Sequence, residues 1–274
     1  FSILDSQGEE RNYPTRLYLG KPAEVKAVIE NNEHEKVKYL LQVKLGGELI
    51  KTEEITLNHG EKWERKVNFT PSIIGKLLKL EFLLFKNSVQ EKPYRYFHLW
   101  VSSEIDYGDL ESARRYEVYP TPSILNGDME SYGGWRLVKN GSLSGRYAYR
   151  VTASGNFSYL IVQTGELKSG EYATIYQDIR VRSPGAAFLL LRVMDNYDEQ
   201  NVTDCFKQVL LNGEVIWEDD VARKEGWQSV RVPVYLYKDN ILSMRVYAKN
   251  DVEELKLKVY WDDIQIKSIS EIGG

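Results

Sequence analysis

Two stretches carry oxygen ligands of the type and spacing that a hard cation needs. NGDMESYGGW, residues 126–135, holds Asp128 and Glu130, which face the same way in extended chain, and VYWDDIQI, residues 259–266, holds Asp262 and Asp263. Carboxylates brought together repel, and partial burial adds a desolvation cost unless something compensates. Calcium is an apt compensator, because it takes about six to eight oxygens from carboxylates and backbone carbonyls alike. For that chemistry the two stretches, roughly 130 residues apart, must meet in space. The alternative is that these acids end strands and cap turns.

A second chemistry is sugar recognition, in which aromatic faces stack on C–H groups while planar donors and acceptors meet hydroxyls. In YATIYQDIRV, if Ile175, Ile179 and Val181 point inward, Tyr176, Asp178 and Arg180 point out. The same alternation exposes Arg192 in FLLLRVMD and Arg245 and Tyr247 in ILSMRVYAK. These residues are expected to form a polar and aromatic platform on one sheet, against the alternative of an ordinary solvated face. Trp135, Trp217 and Trp227 are further candidates for stacking.

Catalytic constellations are missing. His34, His59 and His98 fall in the first hundred residues without metal-ligand spacing, and no H-E-x-x-H, G-x-S-x-G or G-x-x-x-x-G-K-[ST] occurs. His98, mid-strand in YFHLW, reads as a structural histidine. Cys205 lies in a half without histidine and reads as a core thiol. DNYDEQNVTD offers Asp195, Asp198, Glu199 and Asp204, and a glycosidase needs two carboxylates about 5 to 9 Å apart. Nothing in the sequence sets such a pair beside a cleft, so the segment reads as a solvated connection, with a second calcium site as a remote alternative. The expectation is a protein that is not an enzyme.

The elements that must position these residues are strands. Across the first hundred residues, alternating runs recur about every ten positions: EVKAVIENN, KVKYLLQVKL, ELIKTEEITL, EKWERKVNF, LLKLEFLLF and YRYFHLWV among them. Gly46-Gly47 supplies a hairpin turn between two of them. About seven strands in this length predict an immunoglobulin-like sandwich. The pattern lapses in SEIDYGDLESARRYEVYPTP, which ends in two prolines. Asp109 there could cap one or two helical turns. From RYAYRVTA to LKLKVYWDDIQI, eight or nine more strands without a helical stripe predict a second, larger sandwich of the jelly-roll kind. The expected division is a sandwich over 1–103, a linker over 104–121 and a jelly roll over 122–270. A jelly roll sets its first and last strands side by side, which would bring the two acidic stretches together. In LKLKVYWDDIQI the apolar positions change parity after Trp261, so a bulge is expected near Asp262, leaving open which of Asp262 and Asp263 turns inward.

A net charge of −4, with both signs interspersed, gives no basic footprint for nucleic acid. No run of about eighteen apolar residues crosses a membrane as a helix. The abrupt start at FSILDSQG is expected of a piece of something longer, so membrane attachment would come only through a segment outside this chain. A single cysteine points to a reducing compartment. Against it stand sequons at Asn68, Asn140, Asn156 and Asn201, which point outward to an extracellular, cell-surface location.

ILNGDMESYGGW, then SGRYAYRV, IYQDIRV, GWQSVRVPV and the closing VYWDDIQI, together resemble the galactose-binding-like jelly rolls of carbohydrate-binding modules. The resemblance implies a structural calcium held by Glu130 and Asp262, with Asp128 a weaker third ligand, and a core position for Trp227. Met129 stands where those modules carry an aromatic. NYPTRLYLGKPAEVKAVIENNEHEKVKYLLQV, ITLNHGEKWERKVNFTP and PYRYFHLWV resemble the extracellular segment of an uncharacterised family of archaeal multi-pass membrane proteins. That resemblance implies an outward-facing, tethered domain. Together these readings describe a calcium-stabilised ectodomain that binds glycans or surface proteins. The alternatives are a purely structural or adhesive ectodomain and, third, a glycoside-processing enzyme.

Overall fold

The computed structural model describes residues 1–88, 92–196, 202–221, 226–253 and 257–272. Among them the regular structure is β apart from short helical turns at Leu110–Ala113, Arg114–Tyr116 and Ile269–Ile272. The chain divides into Phe1–Gly108 and Asp109–Gly274.

The first unit is a sandwich of β1 (Ser2–Leu4), β2 (Arg16–Tyr18), β3 (Ala23–Glu30), β4 (Val37–Leu45), β5 (Glu48–Leu57), β6 (Lys62–Phe69), β7 (Gly75–Lys86) and β8 (Arg95–Glu104). One sheet has the order β1-β3-β6 and the other β2-β8-β7-β4-β5. Alternation dictates the layers: Val25, Ala27, Ile29, Val67 and Phe69 from the first sheet meet Tyr39, Leu41, Val43, Leu80 and Phe82 from the second. Both Gly46 and Gly47 take positive φ, 56° and 91°, in the hairpin between β4 and β5. His98 departs from its expected structural role. It is exposed on β8 between the rings of Tyr96 and Trp100, at centroid distances of 6.1 and 6.2 Å, because its parity is opposite to that of Phe97 and Leu99, which pack against the core.

The division at Gly108 falls inside the stretch expected to be a linker. Its second half folds with the second unit: the Asp109 side chain caps the Leu110–Ala113 turn through Ser112 N, 3.1 Å, and buried Val118 donates its amide to Ala186 O, 2.8 Å.

The second unit has two five-stranded antiparallel sheets. β10 (Leu143–Tyr149), β11 (Phe157–Gln163), β18 (Lys258–Lys267), β13 (Gly185–Asn196) and β16 (Gln228–Leu236) lie in that order in one, here the β18 sheet. β15 (Glu214–Val221), β14 (Val202–Leu211), β17 (Asp239–Ala248), β12 (Tyr172–Arg180) and β9 (Arg136–Lys139) form the other, the β17 sheet, and β9 is the unit's first strand. Ile161, Leu189, Leu191, Val259 and Trp261 from one inner face pack on Ile175, Val209, Met244 and Val246 from the other. The last strand is therefore not paired with the first; it fills the slot between β11 and β13.

A charged pair interrupts this core. Lys207 on β14 has no solvent exposure and reaches Asp195 on β13, in the opposite sheet, as well as Asp219 at 3.2 Å and the carbonyl of Asp220 at 2.8 Å. Three acceptors match the three protons of its ammonium group, which is what burial of that charge requires.

Candidate functional site

The two acidic stretches meet, as the spacing argument needs. The Ile264 amide of β18 donates to Gly127 O, 2.8 Å. A Cβ on Gly127 would overlap the Ile264 carbonyl oxygen, so only glycine lets the turn lie flat on the strand. Asn126 braces the loop that follows: its Oδ1 accepts from Ser131 N, 2.9 Å, and its Nδ2 donates to Ser131 O and Gly133 O, 2.5 and 2.9 Å. Trp135 Nε1 donates to Asn126 O, 3.0 Å, while the Trp135 ring and Met129 enter the core.

The expected bulge is present. Arg192 pairs with Asp262 and Leu190 with Gln265, so β18 spends three residues against two of β13, with Asp263 at φ 50°. Asp262 points away from the core that holds Trp261, yet has no solvent exposure. The 153–154 backbone covers it: Ala153 N donates to Oδ2 at 2.8 Å, and Asp263 N donates to Oδ1 at 2.8 Å. Burial pushes its carboxyl up to about 6, outweighing those amides. Glu130 grips the same loop from the other side, its Oε1 accepting from Asn156 N and Phe157 N at 2.6 and 2.8 Å. Those amide bonds hold its carboxyl below the usual range.

Calcium at this place would use Glu130, Asp262 and Asp128. The side chains do not form that group. No cluster of three His, Cys, Asp or Glu is placed to hold a metal among the described residues. Asp128 is exposed and, among the described residues, accepts only a long contact, 3.4 Å, from Glu130 N. The other two carboxylates face amide protons, which repel a cation at the same lone pairs. The donor set as it stands therefore does not fit the metal, and peptide N–H groups supply the compensation that burial demands.

Four of the five expected platform residues share one surface, the solvent face of the β17 sheet. Tyr172, Tyr247 and Phe206 lie opposite one another across β12, β17 and β14, and the next row reads Thr174, Arg245, Gln208 and Glu218. Arg245 Nε donates to Gln208 Oε1, 2.7 Å, Gln208 Nε2 donates to Glu218, and the Arg245 guanidinium lies 5.3 Å from the Tyr247 ring centre. One strand over, Arg136 sits 4.5 Å from the Tyr176 ring centre and pairs with Asp178. A recess of about 500 Å³, lined by Asp178, Arg180, Asn212, Asp239 and Ile241, continues the face. Phe206, Gln208 and Arg136 were not singled out from sequence, although Cys205 and Val209 as inward positions already turn Phe206 and Gln208 outward.

Arg192 is not part of this platform. It belongs to the β18 sheet, lining a separate recess with Arg231, Asp263 and Gln265, because alternation fixes which side of a strand a residue takes but not which sheet the strand joins. Trp227 is likewise outside the core: half-buried, it packs edge-on to Tyr260, centroids 6.5 Å apart. Trp217 packs partly against the core from β15.

Cys205 is buried, its thiol pushed up to about 12 by burial, which leaves no thiolate at neutral pH. Asp195 is committed to Lys207, and Asp204 accepts from Asn250 Nδ2, 2.6 Å. Asp198, Glu199 and Asn201 lie outside the described residues. Of the other sequons, Asn68, Asn140 and Asn156 are exposed; Asn140 accepts from Tyr172 N, 2.6 Å, and donates to Gly170 O, 3.4 Å, and Asn156 spends its Nδ2 on Glu130 Oε2, 3.2 Å.

Residues 1–102 match a domain of unknown function, DUF1616. No curated protein matches the sequence. Among solved structures the chain is similar to TmCBM61 in complex with beta-1,4-galactotriose, at TM-score 0.40 and 10% identity, covering 53% of this chain and 97% of that one. It is also similar to the N-terminal CBM22-1–CBM22-2 tandem domain of Paenibacillus barcinonensis Xyn10C, at 0.40 and 13%, covering 92% and 80%. A third is a family 35 carbohydrate-binding module from Clostridium thermocellum, at 0.29 and 13%, covering 46% and 91%. These scores are low, and the all-β sandwich assignment rests on the strand pairing of the chain itself.

Proposed function

We propose that the chain is a non-catalytic, outward-facing ectodomain whose second unit binds glycans on the solvent face of the β17 sheet. The observation that carries this reading is the aromatic row Tyr172, Tyr247 and Phe206 beside the row Thr174, Arg245, Gln208 and Glu218. Aromatic side chains accept the C–H face of a pyranose and planar donors and acceptors meet its hydroxyls, and both kinds of group lie side by side in these two rows. Arg245 is already held by Gln208 and laid against Tyr247, so little side-chain freedom is lost when a ligand arrives. Exposed Asn68 and Asn140 support an outward location, with any membrane tether supplied by a segment outside these residues. Calcium at Glu130 and Asp262 is not part of this reading.

The test is a glycan array with the full chain, followed by titration of the best ligand against Tyr247→Ala and Arg245→Ala. Each substitution should weaken binding about tenfold or more without lowering the melting temperature. Silence across diverse polysaccharides would replace this reading with the purely structural or adhesive ectodomain.

A further inference from the structure

A second cluster of rings stands apart from the β17 sheet, at the adjoining ends of β10 and β11 and on the loop that bears Tyr132. Tyr132 is 81% exposed and Tyr149 56%. Phe157 lies between them, its centroid 6.1 Å from Tyr132 and 5.3 Å from Tyr149, and Tyr147 supports Tyr132 edge-on at 5.1 Å. The Arg150 guanidinium rests 4.9 Å from the Tyr149 ring centre and makes no ion pair among the described residues.

Exposed tyrosines are common on surfaces; these are held in place. Tyr147 Oη donates to Gly133 O, 2.9 Å, tying the loop that bears Tyr132 to β10. Arg150 N donates to Asn156 O, 2.9 Å, closing the loop between β10 and β11. Glu130 holds the amides of Asn156 and Phe157, and Asp262 holds that of Ala153. Gly155, at φ 67°, lies so close to Glu130 that a Cβ would overlap the carboxylate. Loops pinned this way have already met the ordering cost that binding would otherwise incur.

We infer that Tyr132, Tyr149 and Arg150 form a binding site for an acidic sugar residue of the uronate class. The tyrosine faces take the pyranose ring, and Arg150, charged and without a carboxylate partner among the described residues, takes the sugar's carboxylate. Glu130 and Asp262 act as positioning residues for this site. The inference is independent of the β17 sheet face, where Arg136 and Arg180 pair with Asp178 and Asp239 and Arg245 is held by Gln208.

The experiment titrates the full chain with trigalacturonic acid and with its neutral counterpart galactotriose, by calorimetry and by mapping amide shifts. Trigalacturonic acid is expected to perturb Tyr132, Tyr149 and Arg150, to bind at least about tenfold tighter than galactotriose, and to weaken as salt rises. Arg150→Ala and Tyr132→Ala should abolish that preference while the melting temperature and the shifts on the β17 sheet stay as in the parent. Arg245→Ala should leave it intact. Equal affinity for both sugars, shifts confined to the β17 sheet, or an unchanged preference in Arg150→Ala would each overturn the assignment. The second of these would leave the sheet-face reading standing.

Discussion

Lys207 Nζ lies 2.9 Å from Asp195 Oδ2 across the core of the second unit, and neither side chain has any solvent exposure. A pair in this position contributes little relative to well-packed apolar groups, yet removing one partner strands the other's charge. Lys207→Met should therefore cost about 3 to 5 kcal/mol in denaturant unfolding, and Lys207→Met combined with Asp195→Leu should recover part of it. A single variant as stable as the parent would show that the ammonium is not confined between those carboxylates.

Asp262 makes the second unit sensitive to mild acid in an unusual direction. Its folded carboxyl titrates at about 6 against an ordinary 3.8, so between those values the folded state holds a proton that the unfolded state has released. Stability from this group is therefore fully present below about pH 4 and is lost as pH rises through about 6, by at most about 3 kcal/mol. The stability of the parent minus that of Asp262→Asn should fall across this window. A difference independent of pH would place the carboxyl in its ordinary range.

Glu130 works through hydrogen bonds to the backbone. Glu130→Ala should speed hydrogen exchange at the Asn156 and Phe157 amides by about tenfold or more, with the amides of β13 and β17 unaffected. Protection that survives the substitution would mean those amides are held by something else.

The same amides bear on calcium. With N–H groups facing Glu130 and Asp262, neither calcium nor EDTA should move the melting temperature of the full chain. A drop of several degrees with chelator would mean that the loop turns carbonyl oxygens toward these carboxylates in solution, and the metal would return with it.

Gly127→Ala tests the junction between the opening turn and β18. The new methyl would meet the Ile264 carbonyl, and the hydrogen bond from Ile264 N to Gly127 O would be broken or stretched. A loss of about 1 to 3 kcal/mol is expected, read by chemical denaturation. A neutral result would mean that the turn stands off the strand.

Alternation carried much of the architecture. It placed Ile175 and Ile179 inside and Tyr176 and Asp178 outside, and the parity change after Trp261 marks the β18 bulge in the sequence itself. Parity failed for Arg192 because sheet membership depends on long-range pairing that a local pattern does not encode. The partners of Glu130 and Asp262 were invisible for a different reason: they are peptide N–H groups of residues 153–157, and every sequence has those. Lys207 did leave a trace. In CFKQV it occupies the parity of Cys205 and Val209, a lysine in an inward position, which asks for a buried acid on the facing sheet.

β18 pairs with β11 on one side and β13 on the other, so the strand synthesised last stands in the middle of its layer. During translation, that sheet cannot be completed until the chain through Lys267 is available to pair. Until then β11 and β13 each lack the neighbour that covers one of their edges in the folded unit.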